Sequence, residues 1–323
     1  MATFKVTKGT PVAFRDSAYP TAYPSPHEGE LFYNSSLGAF QFLGLGTGAW
    51  SSGGNLPAAR GSGMGSVGTQ TATLVFGGLP GGATLTYNGT SWSAPGVDMN
   101  VAARYSLASF GTQTAALACG GDPGATNNGL VEQYDGSSWA EVAEMNTGRS
   151  QNPIGAGTVT AGLVGGGNST VNTETWNGSS WTEVNNLNTN RRNGAGGGIQ
   201  TSAIYCTGDQ NPGLTTNVET WNGTSWTEVN NVNTARLNLS AAFNVGNSDG
   251  LIFGGSTPTN SALTEYWDGS SWTELNDLAT ARKSGGGTGT DTSAIFYGGS
   301  PGTFVQTEEF TVSTFTTKTF DTD

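Results

Sequence analysis

A tryptophan returns through this chain at nearly even intervals, at Trp50, Trp92, Trp139, Trp181, Trp226 and Trp272. The spacings are 42, 47, 42, 45 and 46 residues, and Phe315 continues the series after 43 more. A fixed period of roughly 20–50 residues means one supersecondary unit stacked many times, because a single unit cannot bury its own apolar face. The fold must therefore be a solenoid, a propeller or a linear array.

The text around each tryptophan chooses among these. Tyr134 opens Y-D-G-S-S-W, Trp176 opens W-N-G-S-S-W, Trp221 opens W-N-G-T-S-W, and Tyr266-Trp267 open Y-W-D-G-S-S-W. Asn-Gly and Asp-Gly between aromatic or β-branched flanks are strong hairpin signals, since both residues tolerate positive φ. Upstream lie apolar runs closing in paired glycines, L-V-F-G-G to Gly78, L-A-C-G-G to Gly121, L-V-G-G-G to Gly167, L-I-F-G-G to Gly255 and I-F-Y-G-G to Gly299. The copy from Ile204 reads I-Y-C-T-G, with Thr207 in place of a glycine. Short apolar runs bounded by glycine read as buried strands. Ten to twelve residues after each tryptophan comes an arginine, Arg60, Arg104, Arg149, Arg192, Arg236 or Arg282, followed by a small-residue segment. Four strands per period fit this text.

Composition agrees with an all-β repeat. The chain holds 51 glycines in 323 residues, and glycine destabilises a helix interior by about 1 kcal/mol. Nine Trp, nine Tyr and fourteen Phe supply apolar area that a disordered polar chain lacks. An arginine, a strand ending in Gly-Gly and an aromatic phrase ending in Trp together resemble the Kelch repeat. That resemblance covers 53–323 and implies an all-β, Kelch-like β-propeller of four-stranded antiparallel blades. Six glycine-pair units stand against seven Trp-type positions, and E-G-E-L-F-Y-N-S-S-L-G-A-F-Q-F from Glu28 offers two further strands before Trp50. The expectation is seven blades, with six as the alternative and 28–52 then an N-terminal hairpin or partial blade. Residues 1–27, with Pro11, Pro20, Pro24 and Pro26, read as an extended arm.

No stretch approaches the ~18 apolar residues of a membrane helix, and the N-terminus lacks the charged-then-apolar order of a secretion signal. The expectation is a soluble chain, made in a cytoplasm and not inserted into membrane. A net charge of -12 argues against a phosphate-backbone partner. Cys119 and Cys206 occupy the same strand position two units apart, beyond the ~7 Å reach of a disulfide, and are expected as buried free thiols.

Catalytic chemistry finds little to stand on. Galactose oxidase, an enzyme of Kelch architecture, holds copper with histidine and tyrosine, but this chain has one histidine, His27, outside the repeats. The same shortage removes a Ser-His-acid triad. The Y-D-G-S-S-W phrase differs from the S-x-D-x-G-x-x-W box of sialidases, because Asp135 directly precedes Gly136. Acidic residues recur in register, Glu132, Glu174, Glu219, Glu265 and Glu308 two before the hairpin aromatic and Glu141, Glu183, Glu228 and Glu274 two after the tryptophan. Repetition reads as scaffold, here as solvated outer-strand charge that opposes edge-to-edge association. No catalytic residue, metal ligand or cofactor is assigned.

The six arginines, Arg60, Arg104, Arg149, Arg192, Arg236 and Arg282, are candidates for a basic ring binding an anion or acidic glycan at one channel mouth. Bonding to loop carbonyls between blades is the favoured reading of the same residues. Paired aromatics such as Trp176 with Trp181 are read as core. The irregular loops Leu79–Leu85, Asp122–Gly129, Asp209–Thr216 and Ser256–Ala262 are the better places for partner contact.

The opening M-A-T-F-K-V-T-K-G-T, the E-G-E-L-F-Y-N phrase and the recycled G-T-Q-T-A-A-L-A-C-G-G and W-N-G-T-S-W-T-E-V-N-N phrases resemble Kelch-like structural proteins of tailed phages, marine and cyanobacterial ones in particular. The resemblance implies a non-enzymatic virion component in multiple copies, docked to other virion proteins through residues 1–52, its loops free to touch host surface glycan. A free carbohydrate-binding lectin is the alternative, and a polysaccharide-degrading enzyme a third.

Overall fold

The computed structural model describes residues 48–312, apart from 62, 80–81, 102–103, 123–128, 169, 211 and 302–303, together with strands 13–15, 31–34, 39–44 and 316–319. Two units emerge, Trp50–Thr311 and a second made of Met1–Ala49 with Val312–Asp323.

The larger unit is a β-propeller of six four-stranded blades. Blade one contains Gly65–Thr69, Ala72–Phe76, Leu85–Tyr87 and Trp92–Ser93, in order from the channel outward. Blade two contains Ala108–Thr112, Ala115–Cys119, Val131–Tyr134 and Trp139–Val142. Blades three and four repeat this with Ile154–Thr158 to Trp181–Val184 and Ala195–Ile199 to Trp226–Val229. Blade five contains Ser240–Ala242, Gly250–Phe253, Thr264–Trp267 and Trp272–Glu274, with a small extra hairpin, Ser256–Thr257 against Thr259–Asn260, in its central loop. The inner strands of neighbouring blades touch around the full ring, blade six against blade one included.

Blade six corrects the count of seven. Its first three strands are Gly286–Gly289, Ser293–Tyr297 and Thr307–Thr311, and its outer strand is Ala49–Ser52 from the other end of the sequence. Trp50 therefore keeps the phase its spacing indicates, as an outer-strand tryptophan, but completes the last blade. The remaining Trp-type position, Phe315, lies outside the described residues. Six glycine-pair strands and six outer tryptophans then match one to one.

The boundary at 53 shifts for the same reason, since 49–52 belong to the ring. In the second unit Ala13–Arg15 pairs in parallel with Leu31–Asn34, which pairs antiparallel with Ala39–Gly44. That strand in turn pairs antiparallel with Thr316–Thr319, Phe42 opposite Lys318. Both ends of the chain thus join a sheet separate from the blades. His27 and the rest of the arm outside Ala13–Arg15 lie outside the described residues.

Apolar clusters fill each blade interface. Leu74 and Phe76 of blade one meet Ala116, Tyr134 and Trp139 of blade two, with Phe76 edge-on to Trp139 at a ring separation of 4.7 Å. Such an aromatic pair is worth about 0.5–1.5 kcal/mol beyond its area burial. The outer tryptophans also reach back one blade: Trp139 Nε1 donates to Thr84 Oγ1 at 3.1 Å, Trp226 Nε1 to Thr173 Oγ1 at 3.0 Å, and Trp92 Nε1 to Thr307 Oγ1 at 3.0 Å. The tandem aromatics are core as expected, Trp176 and Trp221 each only 1% exposed. The glycine pairs take positive φ, and a Cβ on Gly77 would lie 2.4 Å from the Arg104 carbonyl oxygen. Thr207 holds the same left-handed geometry at φ 51°. Its hydroxyl lies 2.7 Å from the Thr215 carbonyl and accepts from Arg236 N at 2.9 Å, contacts that offset the strain of a β-branched residue there.

Trp50 closes the ring against blade five, at 5.0 Å from the Phe253 ring, with Nε1 donating to Thr264 Oγ1 at 2.9 Å. Trp50→Ala should lower stability by about 3 kcal/mol, read as a drop in the urea midpoint. A loss under about 0.5 kcal/mol would show that closure does not depend on this side chain.

Candidate functional site

The segment linking each outer strand to the next inner strand repeats an apolar residue and then, most often, Asn-Thr or Ala-Thr, ahead of the arginine: M-N-T-G-R, L-N-T-N-R, V-N-T-A-R and L-A-T-A-R. The apolar members Met145, Leu187, Val232 and Leu278 are buried, as is Met99 of the corresponding link into blade two. This seats the arginine inside the next blade. Arg104 meets Glu132, Arg149 meets Glu174, Arg236 meets Glu265 and Arg282 meets Glu308, at 2.5 to 3.0 Å. Every one of these side chains is at most 6% exposed. Each guanidinium also donates to backbone carbonyls, Arg104 to Gly120 O at 2.9 Å and Leu130 O at 3.0 Å for example. The carboxylate accepts in return from the link, as Glu132 does from Asn100 N at 2.6 Å. Burial pulls the guanidinium pKa down from its ordinary value at Arg104, Arg149, Arg236 and Arg282, opposed by the paired glutamate.

Three expectations change accordingly. The arginines do not form a basic ring at a mouth; they are internal, and the carbonyl bonding favoured from sequence is present. Glu132, Glu174, Glu219, Glu265 and Glu308 are buried, not solvated, because each neutralises an arginine, whereas Glu141, Glu183, Glu228 and Glu274 are exposed as expected. In blade four the buried cation is Arg191, which meets Glu219 and lies over the Tyr205 ring at 5.1 Å. Arg192 is 26% exposed and pairs at 2.9 Å with Asp209 in an irregular loop. Blade one has Leu85 at the glutamate position, and Arg60, 4% exposed, donates instead to Gly77 O at 3.3 Å.

Just beyond the arginines stands a second ring, missed by sequence reasoning. Gly63, Ser106, Asn152, Asn193, Asn238 and Ser284, one per blade, all have φ between 53° and 58°. Ser106 N donates to Gly63 O at 2.7 Å, Asn152 N to Ser106 O at 3.1 Å, Asn238 N to Asn193 O at 2.7 Å, and Ser284 N to Asn238 O at 2.8 Å. Asn193 N reaches Gln151 O at 2.8 Å. Asparagine tolerates the left-handed region better than other residues with a Cβ, which accounts for its recurrence here. Gly63, Asn152, Asn238 and Ser284 of this crown lie on a central channel of about 330 Å³, lined largely by Gly, Ala and Ser of the inner strands with Phe110, Ile154, Leu239 and Phe243 among them. None of the lining residues is charged.

The irregular loops lie on the crown side. Backbone bridges join the residue after the arginine to the loop between second and third strands, Tyr105 to Asp122, Arg192 to Asp209, Leu237 to Ser256 and Lys283 to Ser300. Most of Asp122–Gly129 lies outside the described residues. Cys119 and Cys206 are free and buried, and burial raises both thiols well above their ordinary pKa. Among the described residues no group of three or more His, Cys, Asp or Glu side chains is arranged to hold a metal ion.

No protein-family model matches this chain, and no curated protein is similar to it.

The two neighbouring arginines should separate on substitution. Arg191→Ala strands Glu219 in the interior and should cost about 3–5 kcal/mol. Arg192→Ala breaks a half-exposed pair and should cost less than about 1 kcal/mol, both read by urea unfolding. The hairpin tips give a pH prediction. Asp135 Oδ1 accepts from Ser137 Oγ, Ser137 N and Ser138 N at 2.8 Å, which holds its carboxyl at about 2. A depressed carboxyl stabilises the fold above its unfolded pKa of ~3.9, and that contribution is lost as pH falls through about 2. Carbon-detected NMR titration should place the Asp135 midpoint near 2; a midpoint at the unfolded value would remove the hairpin bonds from solution.

Proposed function

We propose that this chain is a non-enzymatic structural protein of a tailed-phage particle. The segment before the ring, residues 1–48 now that 49–52 belong to blade six, docks it to other virion proteins, in multiple copies, and its crown-side loops face outward. The observation that carries the reading is topological. The strands flanking blade six in sequence, Ala39–Gly44 and Thr316–Thr319, pair in one sheet outside the blades, an arrangement that supports docking through that sheet with the loops left for other contacts. The Kelch-like and phage-like phrases quoted above support the same reading, as does the use of the arginines and their glutamates for internal bonding. Host surface glycan is the proposed outward contact.

Particles assembled with a chain lacking residues 1–27 test this. The ring should stay folded, with unchanged near-ultraviolet circular dichroism from its buried tryptophans, while incorporation into particles is lost. Normal incorporation of the truncated chain would rule out docking through the arm.

A further inference from the structure

The channel departs from sixfold symmetry. Four neighbouring blades tie their inner strands together with side chains. Ser109 Oγ donates to Ser66 O and accepts from Ser66 N, at 3.2 and 3.1 Å, between blades one and two. Thr288 Oγ1 donates to Gly68 O at 2.8 Å between blades six and one, and Ser240 Oγ to Gly285 O at 3.0 Å between five and six. Asn244 of blade five donates to Gly68 O as well, reaching past blade six. Among the described residues no side-chain hydrogen bond joins the inner strands of blades two and three, three and four, or four and five. The inner strands of blades three and four read I-G-A-G-T and A-G-G-G-I. Each has one partner strand within its blade and turns its other edge to the channel, where backbone N–H and C=O groups need hydrogen-bonding partners.

Blades three and four, with blade five beside them, hold the crown's asparagines. Asn152 Nδ2 lies 3.4 Å from Asn193 Oδ1 and 3.3 Å from Asn238 Oδ1, so three carboxamides converge over the mouth. Left-handed backbone explains why asparagine stands at these positions, but glycine serves equally in blade one and serine in blades two and six. Among the described residues the Nδ2 groups of Asn193 and Asn238 and the Oδ1 of Asn152 have no further partner. Ile154 and Phe243 stand behind the channel wall as core residues, 3% and 2% exposed, so the surface there is backbone and small side chains. A concave site of a few hundred Å³ with few convergent polar groups is the usual form of a small-ligand pocket.

We propose that the blade three-to-five side of this mouth binds a neutral saccharide, a terminal unit or short stretch of an uncharged glycan. The assignment rests on the outward-facing half of the function proposed above and names its chemistry. Carboxamides and bare peptide edges supply donors and acceptors in the mixture that vicinal hydroxyls match. The channel lining carries no charge, and the nearest mouth cation of blade four, Arg192, is already paired with Asp209, which favours a neutral ligand over a charged one. Docking an extended peptide along the bare edges is the competing occupant, less favoured because it would leave the three carboxamides unused.

The test is nitrogen-15 NMR of the deuterated full chain titrated with maltotriose, cellotriose and tri-N-acetylchitotriose. At least one should give saturable shifts at the Asn193 and Asn238 side-chain amides and at the Gly196–Gly198 backbone amides. Affinity should be unchanged by an approximately tenfold rise in salt. Asn193→Gly and Asn238→Gly keep the left-handed backbone that Gly63 already has, and remove only the amide. Each should weaken binding about tenfold or more while leaving the urea midpoint essentially that of the parent. No shift with any of the three sugars, equal binding by both variants, tighter binding of trigalacturonate, or these shifts arising only with a Gly-Ser peptide would overturn the proposal. Any of those results leaves particle docking through residues 1–27 intact, since that is read by incorporation alone.

Discussion

A buried arginine–glutamate pair sets the relation of each blade to the next in five of the six positions. The arginine enters from the link and the glutamate stands on the third strand of the blade being entered. Two charges removed from water are tolerable only when hydrogen bonds complete their shells. Backbone carbonyls do this for the terminal guanidinium nitrogens, though Nε of Arg104, Arg191, Arg236 and Arg282 stays buried without a partner, and link N–H groups do it for the carboxylate. The pair therefore fixes the path of the link as well as its own geometry, and the crown follows two or three residues later on a backbone already held. Apolar packing between blades supplies most of the burial; the ion pair determines where each strand begins.

Much of this was legible in the chain. The tryptophan period, the glycine pairs and the Asn-Gly hairpins give strands, turns and blade repeat, because each is a local requirement. The arginine and glutamate registers were visible too, but not their partnership, since the two residues stand 25 to 29 positions apart and repetition alone does not separate a solvated face from a buried one. A usable signal was present. Five copies place the arginine ten residues after the tryptophan, and that spacing selects Arg191 over Arg192. The blade count failed because Trp50 carries the right phase without saying which blade it completes. The channel could not be read at all, because six distant segments meet only when the ring exists.

The structure also redistributes the meaning of the chain's few charges. Five glutamates and five arginines cancel one another inside, so the net charge of -12 sits on the remaining surface and tails. Acidic, well-solvated outer edges beside an uncharged axial channel are one consequence of that sorting. The polar character of the crown then comes from amides and hydroxyls, whose hydrogen bonding changes little across ordinary pH or salt.

The closing strand has an implication for how the ring is made. Ser51 and the Glu309 carbonyl it contacts are 258 residues apart, among the longest separations between bonded positions in the ring. Ala49–Ser52 leave the ribosome well before their partner strand Thr307–Thr311, with five blades of sequence made in between. Blades one to five can order as they emerge, each on the preceding one, while the first strand of the ring waits unpaired until Thr307–Thr311 follows. Shutting the ring is then a late, entropically costly event of loop closure, and synthesis order makes the earliest segment of the propeller the last to find its place.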